Sequence, residues 1–485
     1  MLEDGLTPSD FVNEITVEGN VIKDENGNDS PLVDKRGRFV KEVSDFAGEY
    51  VKEQFLTAEE KEAERQKQGG EKYLSVDERI SIKLKKENKA FKVEKYEHNY
   101  PHCWRTDKPV IYYPLDSWFI RTTAIKDRLI ELNKTINWKP RSTGEGRFGN
   151  WLEELKDWGI SRERFWGTPL PIWVCAECKA EKCLGSFDEL DRTAPGFDPH
   201  KPYVDGITFN CACGGVMHRT PEVVDVWFDS GSMPFAQLHY PFENEAMFEA
   251  RFPADFICEA IDQTRGWFYT LLAINTMAFG RAPYKNVVCL ALVVDKDGQK
   301  MSKSKGNVID PLGLIDDYGA DALRFTLAAM AAQGRDIKLA EERIEGYRNF
   351  ANKIWNAARF AHLYQVGQHD APSVSDDTFA GRWIRSRLNH TIRTVTNELE
   401  AYRFDRAASA LYQFFWHEYC DWYLELIKPV LQDPAHPEGP STRHTLSETL
   451  EIWLRLLHPF MPFLSEEIWQ TLPHQGDTIV LQAYP

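Results

Sequence analysis

Val287-Val288-Cys289-Leu290-Ala291-Leu292-Val293-Val294, then Asp297-Gly298, then Lys300-Met301-Ser302-Lys303-Ser304-Lys305-Gly306-Asn307, is the stretch on which the reading of this chain turns. The apolar run reads as a buried strand bounded by a tight turn. Three lysines and two serines follow within positions 300–305. A strand that delivers a cationic loop suits an enzyme that must hold negative charge while a polyphosphate bond breaks. Lysines on such a loop supply that charge when the loop closes.

Outward from the loop, residues 221–333 alternate strand and helix patterns, which predicts a parallel α/β sheet. Within this region, Glu259-Ala260-Ile261-Asp262-Gln263-Thr264-Arg265-Gly266-Trp267-Phe268 offers Glu259, Asp262 and Gln263 as partners for an ammonium or ribose hydroxyls. Val226-Trp227-Phe228-Asp229-Ser230-Gly231-Ser232 lies just upstream. Further upstream, Cys175-x-x-Cys178 and Cys211-x-Cys213, the second before Gly214-Gly215, form two close thiol pairs on knuckle-like turns. That pattern fits a closed, structural, four-sulfur Zn2+ site. Cys183, His200 and His218 are alternative ligands. Cys103, Cys258, Cys289 and Cys420 read as isolated buried thiols. Gly144-x-Gly146-x-x-Gly149 matches a dinucleotide fingerprint by letters. Polar Lys139-Pro140-Arg141-Ser142 precedes it where a strand is required, so it reads as a flexible loop. No phosphate-cradling GxxxxGK[ST] loop occurs.

From about residue 335 the pattern becomes helical. Ile384, Leu388, Ile392, Val395 and Leu399 recur on one face. A second helix is predicted from Asp405 to Ile427, stopped by Pro429, and a third from Leu446 to Leu457; together they imply a bundle. Arg382, Arg385, Arg387 and Arg393 beside aromatics could meet RNA phosphates and bases. Residues 1–55 suggest small β structure, and 58–94 a charged helical connector. The formal net charge of −16 weighs against a nonspecific nucleic-acid binder but leaves room for local basic tracks. No apolar run reaches the ~20 residues a bilayer requires, which predicts no membrane partner. With nine cysteines, an odd number, and no secretory leader, the expected compartment is cytoplasmic.

The lysine loop resembles the KMSKS loop of class I aminoacyl-tRNA synthetases. Residues 259–268 resemble the isoleucyl segment Glu-Gly-x-Asp-Gln-x-Arg-Gly-Trp-Phe, with Ala260 replacing its glycine. Trp227 to Gly231 resemble the family's Trp-Phe-Asp-Ser-Gly turn. The region after Gly306, including residues 346–356, resembles the valyl enzyme. The resemblance implies an α/β fold, the second half of the class I Rossmann-like catalytic domain, with a zinc knuckle and a C-terminal helical anticodon-binding bundle. Expected domains are 1–95 (remnant of an editing insertion and connector), 96–333 (catalytic second half, with the knuckle at 171–220 and the loop at 300–304) and 334–485 (bundle). Carried over residue by residue, Lys300 and Lys303 contact phosphates, and Met301, Ser302 and Ser304 support them. Glu259, Asp262 and Gln263 bind adenylate, while Trp227, Asp229 and Trp267 line the amino-acid pocket. Expected cofactors are ATP with Mg2+ and structural Zn2+; expected partners are tRNA and isoleucine or valine. The family's HIGH motif has no counterpart in the 485 residues, so a C-terminal portion is expected. Three readings follow: an isoleucine- or valine-activating ligase, a noncatalytic tRNA-binding module, and one subunit of a split enzyme whose partner carries the N-terminal half.

Overall fold

A computed structural model describes residues 31–485, apart from 71, 95–98, 104–105, 112–116, 191–196, 303–305 and 365–377. The chain forms two units, 1–118 and 119–485. In the first, the charged connector is two helices, Ala58–Lys67 and Val76–Lys86. Each starts with a capping box, Thr57 with Glu60 and Ser75 with Glu78, so the orphan N–H groups of both first turns are met by local side chains. Bridges Val33–Phe39 and Arg38–Tyr50 are the β structure described before residue 55.

The second unit is built around a parallel sheet ordered Ala254–Ala260, Tyr284–Leu290, Asn137–Lys139. Parallel strands need a crossover, and Trp267–Phe279 supplies it. That helix is buried from Phe268 to Thr276, as expected of an element covered on all sides. Its end is set by Gly280 at φ +65°, whose N–H bonds the Thr276 carbonyl in a left-handed cap. Leu129, Trp138, Phe148, Leu152, Phe268, Leu272 and Val287 form the core beneath the sheet.

The structure corrects the reading of residues 144–149. They are not a flexible loop: Thr143–Phe148 is a π-helical turn running into the helix Gly149–Glu153, and a short strand, Asn137–Lys139, does precede them. A Cβ at Gly144 would lie 2.2 Å from the Trp138 ring, so this glycine admits an indole rather than a ligand.

Beyond the sheet, the helices Pro311–Tyr318 and Ala320–Met330 lead into a bundle of Glu341–Leu363, Phe379–Glu400, Phe404–Gln413, Leu424–Gln432, Gly439–Leu457 and Pro462–Trp469. Its core holds Phe350, Ile384, Leu388, Phe415, Trp453 and Leu454. Pro429 does not end a helix here. It sits inside Leu424–Gln432, near the C-terminal end, where losing one backbone bond is tolerable. A ten-residue π-helical segment, Phe414–Tyr423, precedes that helix. Asp321 joins the two regions: buried on helix 320–330, its carboxylate accepts from the Leu464 and Phe463 N–H groups (2.6 and 3.4 Å), capping helix 462–469. No helix among the described residues is long and apolar enough to cross a membrane.

Candidate active site and metal centre

In open α/β sheets ligands sit outside the carboxyl ends of the strands. At that end of Ala254–Ala260 lie exposed Glu259 and, on the following 3₁₀ turn Ile261–Arg265, exposed Asp262 and half-buried Gln263. Gln263 Oε1 accepts from the Trp267 N–H at 2.9 Å, fastening the turn to the start of the crossover helix. Ala260 has φ −74° and ψ 164°, an ordinary extended backbone, so its methyl causes no backbone strain. Thr264, fully buried beneath, accepts from Arg147 Nε at 3.0 Å.

Trp227 packs against the residue that precedes Trp267. A Cβ built on Gly266 would be 3.2 Å from Trp227 Cη2. Trp267 Nε1 donates to the Ser230 carbonyl at 3.1 Å, tying both indoles to the helix Val226–Gly231. Asp225, which sequence reasoning passed over, holds that helix. Its buried carboxylate accepts from the Trp227 N–H (3.2 Å), Trp158 Nε1 (3.1 Å) and Arg162 Nη2 (2.6 Å). An aspartate immediately before an apolar helical segment is an N-cap signal, so this one was available in the sequence. Asp229 reaches solvent, yet partial burial pushes its carboxyl above the usual aspartate range. A hydrogen bond from Thr168 acts against that shift, and nearby Asp225 adds to it.

The lysine loop leaves the short strand Val293–Val294, which pairs in parallel with Ile337–Lys338. Gly298, at φ +81°, makes the turn, and a Cβ there would lie 3.1 Å from Lys338 Cε. Asn307 closes the loop onto this turn. Its Nδ2 donates to Asp295 Oδ2 (2.8 Å) and its Oδ1 accepts from the Ser302 N–H (2.9 Å). Lys300 is exposed, and Met301 packs partly buried against the cluster of Leu314, Ala322, Leu323 and Ile344. Lys303 and Ser304 lie outside the described residues.

Cys175, Cys178, Cys211 and Cys213 converge, all four sulfurs within 4.8 Å of one another. They sit on two turns of a four-stranded antiparallel sheet ordered Glu181–Cys183, Ile172–Cys175, Val216–Arg219, Thr208–Asn210. Lys179 at φ +61° and Gly214 at φ +91° make the two knuckles. At Gly215 a Cβ would come within 3.0 Å of Cys175 Sγ, so the cradle requires glycine. All four thiols are free, and the Cys175–Cys213 and Cys178–Cys211 sulfurs lie 3.6 and 3.5 Å apart. A tetrahedral ion with ~2.3 Å bonds to sulfur would separate its ligands by ~3.8 Å, so the spacing suits such an ion. N–H groups of Cys178 and Glu177 lower the Cys175 thiol, whereas Cys178, despite an N–H bond from Ala180, is raised by the sulfurs of Cys213, Cys211 and Cys175, as expected of thiols that titrate together. Cys183, His200 and His218 are outside this cluster. Of the four cysteines expected to be buried and isolated, Cys289 and Cys420 are buried, Cys103 is half-buried and Cys258 is exposed on the edge strand of the parallel sheet.

The four bundle arginines divide. Arg385 pairs with Glu448 (2.7 Å), and Arg387 bonds both oxygens of Glu418 (2.8 and 2.7 Å), which occupies them within the bundle. Arg382, which is also engaged, and Arg393 are exposed.

A parallel α/β sheet, with both tryptophans at its carboxyl end, is followed in the chain by a lysine loop and a helical bundle. The family described as tRNA synthetases class I (I, L, M and V) matches residues 24–340, and the anticodon-binding domain of tRNA ligase matches residues 381–485. The chain belongs to the class I tRNA synthetases. It is 50% identical over 472 residues to an isoleucine–tRNA ligase of Cytophaga hutchinsonii, covering 93% of this chain and 42% of that protein. A Thermus thermophilus isoleucine–tRNA ligase is 44% identical over 413 residues, covering 81% of this chain and 39% of that protein. The chain thus spans less than half the length of these relatives. Among solved structures, a Mycobacterium tuberculosis methionyl-tRNA synthetase with methionyl-adenylate shares the fold at 19% identity and TM-score 0.57, over 76% of this chain and 65% of that one. An Agrobacterium radiobacter LeuRS–tRNA–LeuAMS complex does so at 22% and 0.54, over 71% of this chain and 45% of that one.

Proposed function

We propose that this chain carries the second catalytic half and the anticodon-binding bundle of an isoleucine–tRNA ligase, which joins isoleucine to ATP as an adenylate and passes it to tRNA. The observation that carries this reading is the Trp227–Gly266–Trp267 arrangement beside Asp262 and Gln263, in a chain matched over 93% of its length by a named isoleucine ligase. That match runs through the helical region, which favours isoleucine over valine.

In this mechanism the amino-acid carboxylate attacks the α-phosphorus of Mg2+-bound ATP, forming the mixed anhydride and expelling pyrophosphate. No covalent enzyme intermediate is involved; positioning and charge do the chemistry. Lys300 and Lys303 hold the charge developing on the departing pyrophosphate. Ser302 and Ser304 shape the loop, and Met301 anchors it to the apolar cluster below. Glu259, Asp262 and Gln263 receive the ammonium and ribose hydroxyls, and Trp227 and Trp267 wall the side-chain pocket, with Asp229 at its edge. Such a pocket separates substrates differing by one methylene by only about 1–3 kcal/mol, a limit for which isoleucine against valine is the standing example. Cys175, Cys178, Cys211 and Cys213 would hold a Zn2+, which would brace the two knuckles and have a structural role. Arg382 and Arg393 contact tRNA, and the compartment is the cytoplasm, where translation occurs.

The test is isoleucine- and valine-dependent ATP–pyrophosphate exchange, run on this chain alone and with a polypeptide supplying the N-terminal portion its relatives possess. Isoleucine-dependent exchange that falls at least a hundredfold in Lys303→Ala, roughly 3 kcal/mol of lost charge stabilisation, is expected. Exchange with neither amino acid in the complemented protein would overturn the reading in favour of a tRNA-binding module, and exchange indifferent to Lys303 would overturn the role given to the lysine loop.

A further inference from the structure

Behind the helix that carries Trp227 is a cavity of about 950 Å³. One wall is the cysteine-bearing sheet and the segment after it, through Ile172 and Leu184; the other is Pro169, Leu170, Val224 and Phe228. The volume is at the upper end of the range for small-molecule sites, whose walls are mostly apolar with a few placed polar groups. The framework is firmly packed: Leu170, Trp173 and Val204 are almost wholly buried. At the rim, Phe187 and Phe242 are more than half exposed. Aromatic rings held around a concavity are poised to bury area against an occupant.

The charged groups decide what kind of occupant. Arg219, the buried cation of the lining, donates through Nε to Asp205 (2.7 Å) and through Nη1 to the carbonyls of Leu170 and Glu222. His200 is bonded to Asp198 at 2.7 Å and stacked on Trp166 at 4.7 Å. His239 faces Glu243 at 3.3 Å, and Asp188 is also engaged. The one arginine of the lining is committed to Asp205, so an anionic ligand would be desolvated without gaining a cation of its own.

We propose that this cavity is a binding site for neutral, aromatic small molecules, separate from the pocket walled by Trp227 and Trp267. The two sites share a wall. Phe228 lines the cavity next to Trp227, and Thr168, also in the lining, bonds the Asp229 side chain and, through its carbonyl, the Val224 N–H (2.7 Å). The proposal does not depend on catalytic activity.

The test uses two matched dyes, neutral N-phenyl-1-naphthylamine and its anionic relative 8-anilinonaphthalene-1-sulfonate, titrated into the purified chain by fluorescence. The neutral dye should bind at one per chain, the sulfonate about tenfold more weakly or worse. Cys183, an exposed thiol in the lining, reports position, and its alkylation should slow when the neutral dye is bound. Gly185→Trp fills the space; a Cβ there meets nothing closer than Glu189 Oε1 at 3.6 Å. Phe187→Ala removes a rim ring without touching the core. Both variants should weaken the neutral dye at least fivefold. No binding, equal binding of the sulfonate, or affinity unchanged in both variants would each overturn the proposal. So would a Cys183 that is unreactive without dye, because the cavity would then already be filled by polypeptide.

Discussion

Gly231→Ala tests whether the anchoring of Trp267 to the helix 226–231 depends on close approach of two helices. Gly231 ends the helix 226–231, and a Cβ there would be 2.7 Å from both the Thr270 carbonyl oxygen and Ile274 Cδ1, and 2.8 Å from the Thr270 carbonyl carbon. The isoleucine methyl can move, but the Thr270 backbone lies inside a buried helix and cannot. The helices must therefore separate by about half an ångström or more, and overpacking of this kind costs ~1–3 kcal/mol. Two hydrogen bonds span the same gap: Asn275 Nδ2 to the Gly231 carbonyl at 3.0 Å and Trp267 Nε1 to the Ser230 carbonyl at 3.1 Å. Each contributes about 1 kcal/mol. These effects overlap rather than add, and we expect a local loss of about 3 kcal/mol, or about a hundredfold in the opening equilibrium. The assay is native-state hydrogen exchange of the amides in Trp267–Phe279, with Gly146→Ala as control, since a Cβ at Gly146 has no neighbour within 4 Å. Exchange within threefold of the parent would refute the reasoning, because the backbone would then have yielded without loss.

Three further outcomes follow from other parts of the molecule. Zinc analysis should find about one ion per chain, abolished in Cys178→Ser, with protection lost in the small core of Trp173, Leu184 and Met217; a metal-free chain with that core intact would remove the assignment. Burial pushes the Asp321 carboxyl up, against the N–H groups of Leu464 and Phe463. A carboxyl raised in the folded state weakens folding once pH exceeds its unfolded value, and the loss is relieved as pH falls back through the folded one. Asp321→Asn, which keeps a capping oxygen, should flatten that acid-range slope in denaturant midpoints; an unchanged slope would assign it to other groups. In the bundle, Arg393→Ala should lower the salt dependence of tRNA binding by roughly one ion, whereas Arg387→Met should leave it unchanged and cost at most about 1 kcal/mol of stability. Equal salt slopes in the two variants would refute the division drawn from the Glu418 pair.

What the sequence disclosed was what depends on neighbours along the chain. The Asp297-Gly298 turn and the cysteine pairs announce themselves by spacing, whereas the apolar run 287–294 is not one strand: it breaks after Leu290, and Val293–Val294 joins a different sheet. Errors arose where a residue's meaning depends on something distant or on local context overriding propensity. Gly144 reads as loop until Trp138 is seen lying against it. Pro429 reads as a stop, although a proline near a helix end forfeits only one bond. Nothing near Arg387 in the sequence announces its partner, Glu418, 31 residues on. Cys258 counted as buried because cysteines usually are, but it lies on an edge strand. The candidate pocket shows the limit most clearly. Its residue types were legible, Trp227 and Trp267 among them. Their geometry is set by Arg162 reaching Asp225 across 63 positions and by the main-chain carbonyls of Ser230 and Gly231 accepting from Trp267 and Asn275. Every residue has a carbonyl, so no composition or spacing marks which ones a site will use. A variant that preserves every candidate site residue but displaces those two carbonyls, as Gly231→Ala does, should therefore damage the pocket as surely as replacing an indole.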